Sequence, residues 1–149
     1  MPTATTLEDL TFVHLKNKAI IERIPLILIE NVKGRTFTPE QFYNYQISQI
    51  GNPCNHLYAL IDKSAKMHGY LWVETNLLDD SMFVNTFSID KEYWGKGEAI
   101  AKVIKFLDEL KKKTKAPRVF WVTTNEKFFI KQGFKRSKNV LMEYNTDQQ

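Results

Sequence analysis

Hydrophobic positions along this chain follow two periods, and the change falls near His56. Before it, residues 1–52 read as mainly helical. Lys18 to Val32 carries Ile20, Ile21, Ile24, Leu26, Leu28 and Ile29. The run is apolar without a clean helical repeat, and Pro25 interrupts it. Proline fits a helix only in its first turn or at a kink. Thr38-Pro39-Glu40-Gln41 is a clearer start: a capping box with proline at the first helical position. Phe42, Tyr45, Ile47 and Ile50 give that helix an imperfect apolar face. Gly51-Asn52-Pro53 stops it.

From His56 the pattern alternates. Leu57, Ala59 and Ile61 interleave with Tyr58, Leu60 and Asp62. Lys63 to Lys66 is a polar turn, Met67 to Glu74 a second strand, Asn76 to Ser81 another turn, and Met82 to Ile89 a third strand. The three predict an antiparallel meander. A helix is predicted from Gly97 to about Lys113, with Ile100, Val103, Ile104, Leu107 and Leu110 on one stripe. Glu98 at its start and Lys111, Lys112 and Lys113 at its end suit the helix dipole. A strand over 118–124, a short helix over 125–132 and a final strand of about Val140 to Tyr144 complete the order.

Composition narrows the class. A chain of 149 residues, 43% hydrophobic and 13% aromatic, suits one packed domain over 1–149. Residues 56–144 would form its sheet and core. A formal charge of +4 is compatible with an anionic ligand or with nucleic acid. Only Arg23, Arg35, Arg118 and Arg136 are arginines, too few for a typical nucleic-acid surface. Cys54 is the single cysteine, so no intrachain disulfide forms and a reducing, cytoplasmic setting is the expectation. The longest apolar stretch, Ile24 to Ile29, is too short to cross a membrane. His14, His56 and His68 form no metal pattern.

The strand Met82 to Ile89 hands over to the long helix through a loop containing Gly95-Lys96-Gly97. Such a junction exposes amide groups at a positive helix end, which suits phosphate. The Walker loop does not fit, because Glu98-Ala99 follow Gly97. The dinucleotide fingerprint does not fit either, because Ile100 stands where its third glycine belongs. A bulky residue at Gly97 is expected to block the ligand and spare the fold.

The stretch from Ile89 to Ala99 resembles the acyl-CoA loop of the GNAT N-acyltransferase superfamily, Gln/Arg-x-x-Gly-x-Gly/Ala. Gly97 and Ala99 match its small positions, and Trp94 replaces the usual Gln or Arg. A second landmark follows. Asn125-Glu-Lys-Phe-Phe-Ile-Lys-Gln-Gly-Phe resembles the family's Asn…Tyr-Glu-Lys-x-Gly-Phe, with Gly133 and Phe134 in register and Phe129 in place of the tyrosine. The resemblance spans roughly Leu57 to Tyr144. It implies a GNAT-like α/β (α+β) fold: a mixed, mostly antiparallel sheet with helices on both faces and an N-terminal helical segment.

It also implies acetyl-CoA as co-substrate, no metal and an amine acceptor, and leaves the oligomeric state open, a homodimer included. Backbone groups of Phe87 and Ile89 would hold the pantetheine arm. Trp94, Gly95, Lys96, Gly97, Glu98 and Ala99 would hold the pyrophosphate. Asn125 would touch the arm or cap its helix, and Phe129 would lie beside the cofactor.

Acetyl transfer needs a base for the amine and, usually, a proton for the leaving thiolate. The third strand offers no carboxylate, and the phenyl ring of Phe129 donates no proton. Glu74, Asp79, Asp80 and Tyr93 are the candidate substitutes. Each also has an ordinary explanation, as turn acids, a surface acid and a packed ring. Tyr70 and Trp72 share the face of Glu74 and read best as core. Three classes remain: an N-acetyltransferase, a GNAT-like module that has lost catalysis, and a small basic nucleic-acid-binding domain.

Overall fold

The computed structural model describes residues 5–95, 97–114, 118–123, 126–138, 142 and 144. Five strands form one sheet in sequential order: β1 (Thr11–His14), β2 (Asn55–Ile61), β3 (Met67–Thr75), β4 (Met82–Ile89) and β5 (Val119–Trp121). The first three pairings are antiparallel and β4 with β5 is parallel. The helices are α1 (Lys18–Ile21), α2 (Leu26–Glu30), α3 (Pro39–Ser48), α4 (Glu98–Thr114) and α5 (Glu126–Lys131).

The sequence pattern of residues 1–52 predicts a mainly helical segment, and the structure adds β1 to its three helices. Four residues give too few alternations to register as a strand. The strand exists because the edge of β2 is there to pair with it, from Thr11 opposite Ile61 to His14 opposite Tyr58. Pro25 divides the apolar run as its chemistry requires. It stands just before α2, where its missing N–H is no loss. The capping box forms as expected. Thr38 Oγ1 accepts from the Gln41 amide at 3.1 Å, and Gln41 Oε1 accepts from the Thr38 amide at 2.8 Å.

Helices cover both faces of the sheet. On one face Leu57, Ala59, Tyr70 and Trp72 pack against Ile21, Ile24, Leu28, Ile29 and Phe42 of the N-terminal helices and the turn between them. On the other, Tyr58, Leu71, Val73, Met82 and Val84 meet Val103 and Leu107 of α4. Strand β3 is therefore buried on both sides over Met67–Val73, which removes polar alternation from its sequence. Tyr70 and Trp72 are core residues, as their sequence setting suggests. A smaller cluster of Leu10, Leu60, Ile89 and Ala99 pins the start of α4 to the end of β4.

The meander carries one irregularity. Trp72 pairs with Thr86 but Val73 pairs with Val84, so Asn85 is an extra residue in β4. A bulge of this kind bends its strand and increases its twist. Strand β5 pairs with β4 only from Met82 to Val84. Beyond the bulge, residues 85–89 have no partner strand on that side among the described residues. The expected strand over 118–124 is thus three residues long. In the expected final strand, Val140, Leu141 and Glu143 lie outside the described residues, while Met142 and Tyr144 are exposed.

Candidate functional site

A cavity of about 410 Å³ lies at the end of β4, where that strand has no partner strand on its β5 side among the described residues. The end of β4 supplies Phe87, Ser88 and Ile89. The following loop and α4 supply Tyr93, Trp94, Gly95, Gly97, Ala99 and Ile100, and the segment after α2 supplies Asn31, Val32 and Lys33. Sequence reasoning places most of these residues together and misses Lys33. The only signal for it was a basic residue in a Lys-Gly-Arg turn, which by itself marks an exposed loop.

A single 3-10 turn, Lys91–Tyr93, carries the chain from β4 to Trp94. Gly95 and Gly97 then take φ values of +97° and +72°, the left-handed region that disfavours any side chain with a Cβ. The two glycines let the chain reverse into α4. Only at Ala101 does the first α4 bond appear, to the Gly97 carbonyl at 3.0 Å. The amides of Glu98, Ala99 and Ile100 precede any helical acceptor, the usual state of a helix start. Gly97, Ala99 and Ile100 line one end of the cavity, with the positive pole of a 17-residue helix behind them. The Glu98 side chain is exposed and, as an anion, suits the dipole rather than a phosphate contact.

Gly97 has a second constraint. A Cβ there would lie 2.5 Å from Cε2 of Phe128 in α5. The glycine therefore makes room for an aromatic ring as well as a turn, so a side chain there is expected to strain the fold as well as the ligand site. At Gly95 a Cβ would meet nothing within 4 Å.

Trp94 folds back on its own strand. Its indole N–H donates to the Ile89 carbonyl at 2.8 Å, and Lys91 Nζ stands 5.7 Å from the ring centroid. The Ile89 carbonyl, expected to face the pantetheine arm, thus already holds one donor. Lys96 and Asn125 lie outside the described residues. Phe129 is 5% exposed and packs edge-on against Trp121, with ring centroids 4.9 Å apart, and against Phe128 and Phe134. It is part of the packing under β5 and does not line the cavity.

The candidate acids are spread out. Asp79 and Asp80 sit in the turn before β4, and the glycine turn follows it. Eight residues of β4 at roughly 3.3 Å each lie between them. Two hydrogen bonds from Ser81 and the Arg118 guanidinium, 3.0 Å away, hold the Asp79 carboxyl below its ordinary range. Asp80 is exposed, with φ +59°. Glu74, near the end of β3 and opposite Phe83 at the start of β4, accepts from Asn85 Nδ2 at 2.6 Å, beside the bulge. Tyr93 lines the cavity, but its hydroxyl donates to the Thr5 carbonyl at 3.0 Å. Burial and the nearby carboxylates of Glu92 and Asp90 push its pKa up, which makes it a poor base.

No protein-family profile matches this sequence, and no curated protein matches it at a significant level. Solved structures do match. Mutant forms of the spermidine/spermine N-acetyltransferase SpeG from Vibrio cholerae superpose with a TM-score of 0.72 at 18% identity, over 93% of this chain and 86% of that one. A GNAT family acetyltransferase from Staphylococcus aureus gives 0.69 at 13% identity, over 92% and 99%. Glucosamine-6-phosphate N-acetyltransferase from Arabidopsis thaliana gives 0.62 at 18% identity, over 90% and 98%. The identities are low and the shared architecture is nearly complete: this chain has the fold of the GNAT acetyltransferases.

Proposed function

We propose that the protein is an acetyl-CoA-dependent N-acetyltransferase acting on an amine. The observation that carries this reading is the cavity at the end of β4. It joins a strand edge that has no partner strand among the described residues to the first-turn amides of α4. An extended amide-bearing arm can pair along such an edge, and a pyrophosphate can sit on such amides. Lys33 adds a cation to the same cavity. The residues present fit the co-substrate, apart from the indole on the Ile89 carbonyl.

In the reaction the amine nitrogen attacks the thioester carbonyl, the C–S bond breaks, and the amine loses a proton. An aliphatic amine is mostly protonated at neutral pH, so a base or a water chain must take that proton. Glu74 is the candidate base, acting through water, because it stands beside the bulge, where the pairing of β5 with β4 stops. Phe129 supplies no proton to the thiolate, so water does. Positioning of the two substrates then carries most of the acceleration.

The aromatic packing around Phe129 favours a second reading, a module that binds CoA without catalysis. One experiment separates the two. Calorimetry measures acetyl-CoA binding, and an acceptor panel led by spermidine, spermine and glucosamine 6-phosphate measures transfer. Binding with turnover that falls in Glu74→Gln supports the enzyme. Binding with no transfer to any acceptor supports the module. No binding at millimolar acetyl-CoA removes both.

A further inference from the structure

Beside the cavity, His68 is buried between two carboxylates. Its side chain is 6% exposed. Nε2 lies 2.8 Å from Asp62 Oδ2, and Nδ1 lies 2.9 Å from Asp90 Oδ2. The three residues come from different places: the turn after β2, strand β3 and the residue that follows β4. A carboxylate only accepts hydrogen bonds, so both contacts need a proton between them. Both contacts are hydrogen bonds at once only when the cluster holds one proton more than a neutral imidazole and two carboxylates. Asp62 is the fixed side. It is 10% exposed, and its Oδ1 also accepts from the Ser64 amide, the Ser64 hydroxyl and the Lys66 amide. Asp90, at 27%, is the more exposed side.

Asp90 also starts the phosphate loop. Its carbonyl accepts from the Tyr93 amide at 3.0 Å and so closes the 3-10 turn, and its amide donates to the His68 carbonyl at 2.8 Å. The Tyr93 ring stands edge-on to His68, centroids 6.0 Å apart. Trp94 and Gly95 follow directly. The other charged groups facing this cluster are Glu92, whose carboxylate reaches within 4.8 Å of the His68 and Asp90 ligand atoms, and Asp9, which acts on Tyr93 from the N-terminal segment.

We propose that His68 is a proton-dependent positioning residue, which clamps the phosphate loop through Asp90 and makes acetyl-CoA affinity depend on protonation of the cluster. Removing the proton turns a ring lone pair toward a carboxylate oxygen at 2.9 Å. The contact to the more exposed Asp90 then opens, and the loop loses its side-chain anchor while the backbone bond from the Asp90 amide to the His68 carbonyl remains.

The proposal rests on the acetyl-CoA reading of the cavity, and the test keeps the two apart. Ring nitrogen shifts of His68 in the ¹⁵N-labelled protein report its protons, and amide exchange at Tyr93 and Trp94 reports loop order without any ligand. As pH rises, loss of the extra proton, faster exchange at both amides and weaker acetyl-CoA binding by calorimetry follow one curve. His68→Gln and Asp90→Asn lower affinity roughly five- to tenfold and flatten its pH profile. Loop exchange or affinity indifferent to the proton overturns the clamp, as does a ring that stays neutral at neutral pH without titrating. If the wild type binds no acetyl-CoA, the functional reading fails. The exchange measurement then decides the clamp alone.

Discussion

Replacing Gly97 by alanine tests whether this glycine serves the turn, the aromatic ring or both. At φ +72° a Cβ costs about 1–2 kcal/mol from left-handed backbone strain. The new methyl group also lies 2.5 Å from Phe128 Cε2, so the ring must move, at about 1–3 kcal/mol for overpacking. Gly97→Ala should therefore lose about 2–5 kcal/mol in total. Gly95→Ala carries only the backbone cost, about 1–2 kcal/mol, because nothing stands near its Cβ. For a domain of this size each kcal/mol moves Tm by about 2–4 °C. Thermal melts of Gly95→Ala, Gly97→Ala, Phe128→Ala and the double variant Gly97→Ala/Phe128→Ala then form a cycle. In the Phe128→Ala background the cost of Gly97→Ala should fall to that of Gly95→Ala. Equal losses at the two glycines, or costs that simply add, would refute the idea that Gly97 makes room for the ring.

Phe129→Tyr should lower stability by about 1–3 kcal/mol, since its hydroxyl enters a packed aromatic site. An unchanged Tm with faster acetyl transfer would place that hydroxyl in the cleft instead. Thr38→Ala removes one bond of the capping box and should cost about 1 kcal/mol in urea unfolding; no change would show that α3 is held by packing alone. A hydrogen bond from His68, helped by those from Ser64 and Lys66, holds the Asp62 carboxyl below its ordinary range. A depressed carboxylate stabilises the fold above its unfolded pKa of about 3.9 and loses that contribution as pH falls further. Urea midpoints of the wild type should thus drop on acidification below about pH 4, and Asp62→Asn should flatten that part of the curve. Parallel curves would remove this carboxyl from acid unfolding.

Local chemistry made much of this protein legible. Proline after threonine and before Glu40-Gln41 specified the start of α3, because cap geometry depends on four adjacent residues. The stripe through Val103 and Leu107 specified α4, and two glycines between a strand and that helix specified the anion-suited turn. None of these needs a distant partner. Strand β1 does, since its four residues gain their shape from the edge of β2. The bulge at Asn85 depends on register with β3, which no property of β4 alone encodes. The pairing of β5 with β4 stops at Val84, just before that bulge, and the cavity lies at the far end of β4. Lys33 enters the cavity from the segment after α2, more than fifty residues earlier in the chain than the glycine turn. His68 looked like an isolated histidine because Asp62 and Asp90 reach it only when three segments meet. Sequence fixes what adjacent residues settle by sterics and capping. Long-range pairing alone decides where an edge is left open and which charges meet in the dark of the core.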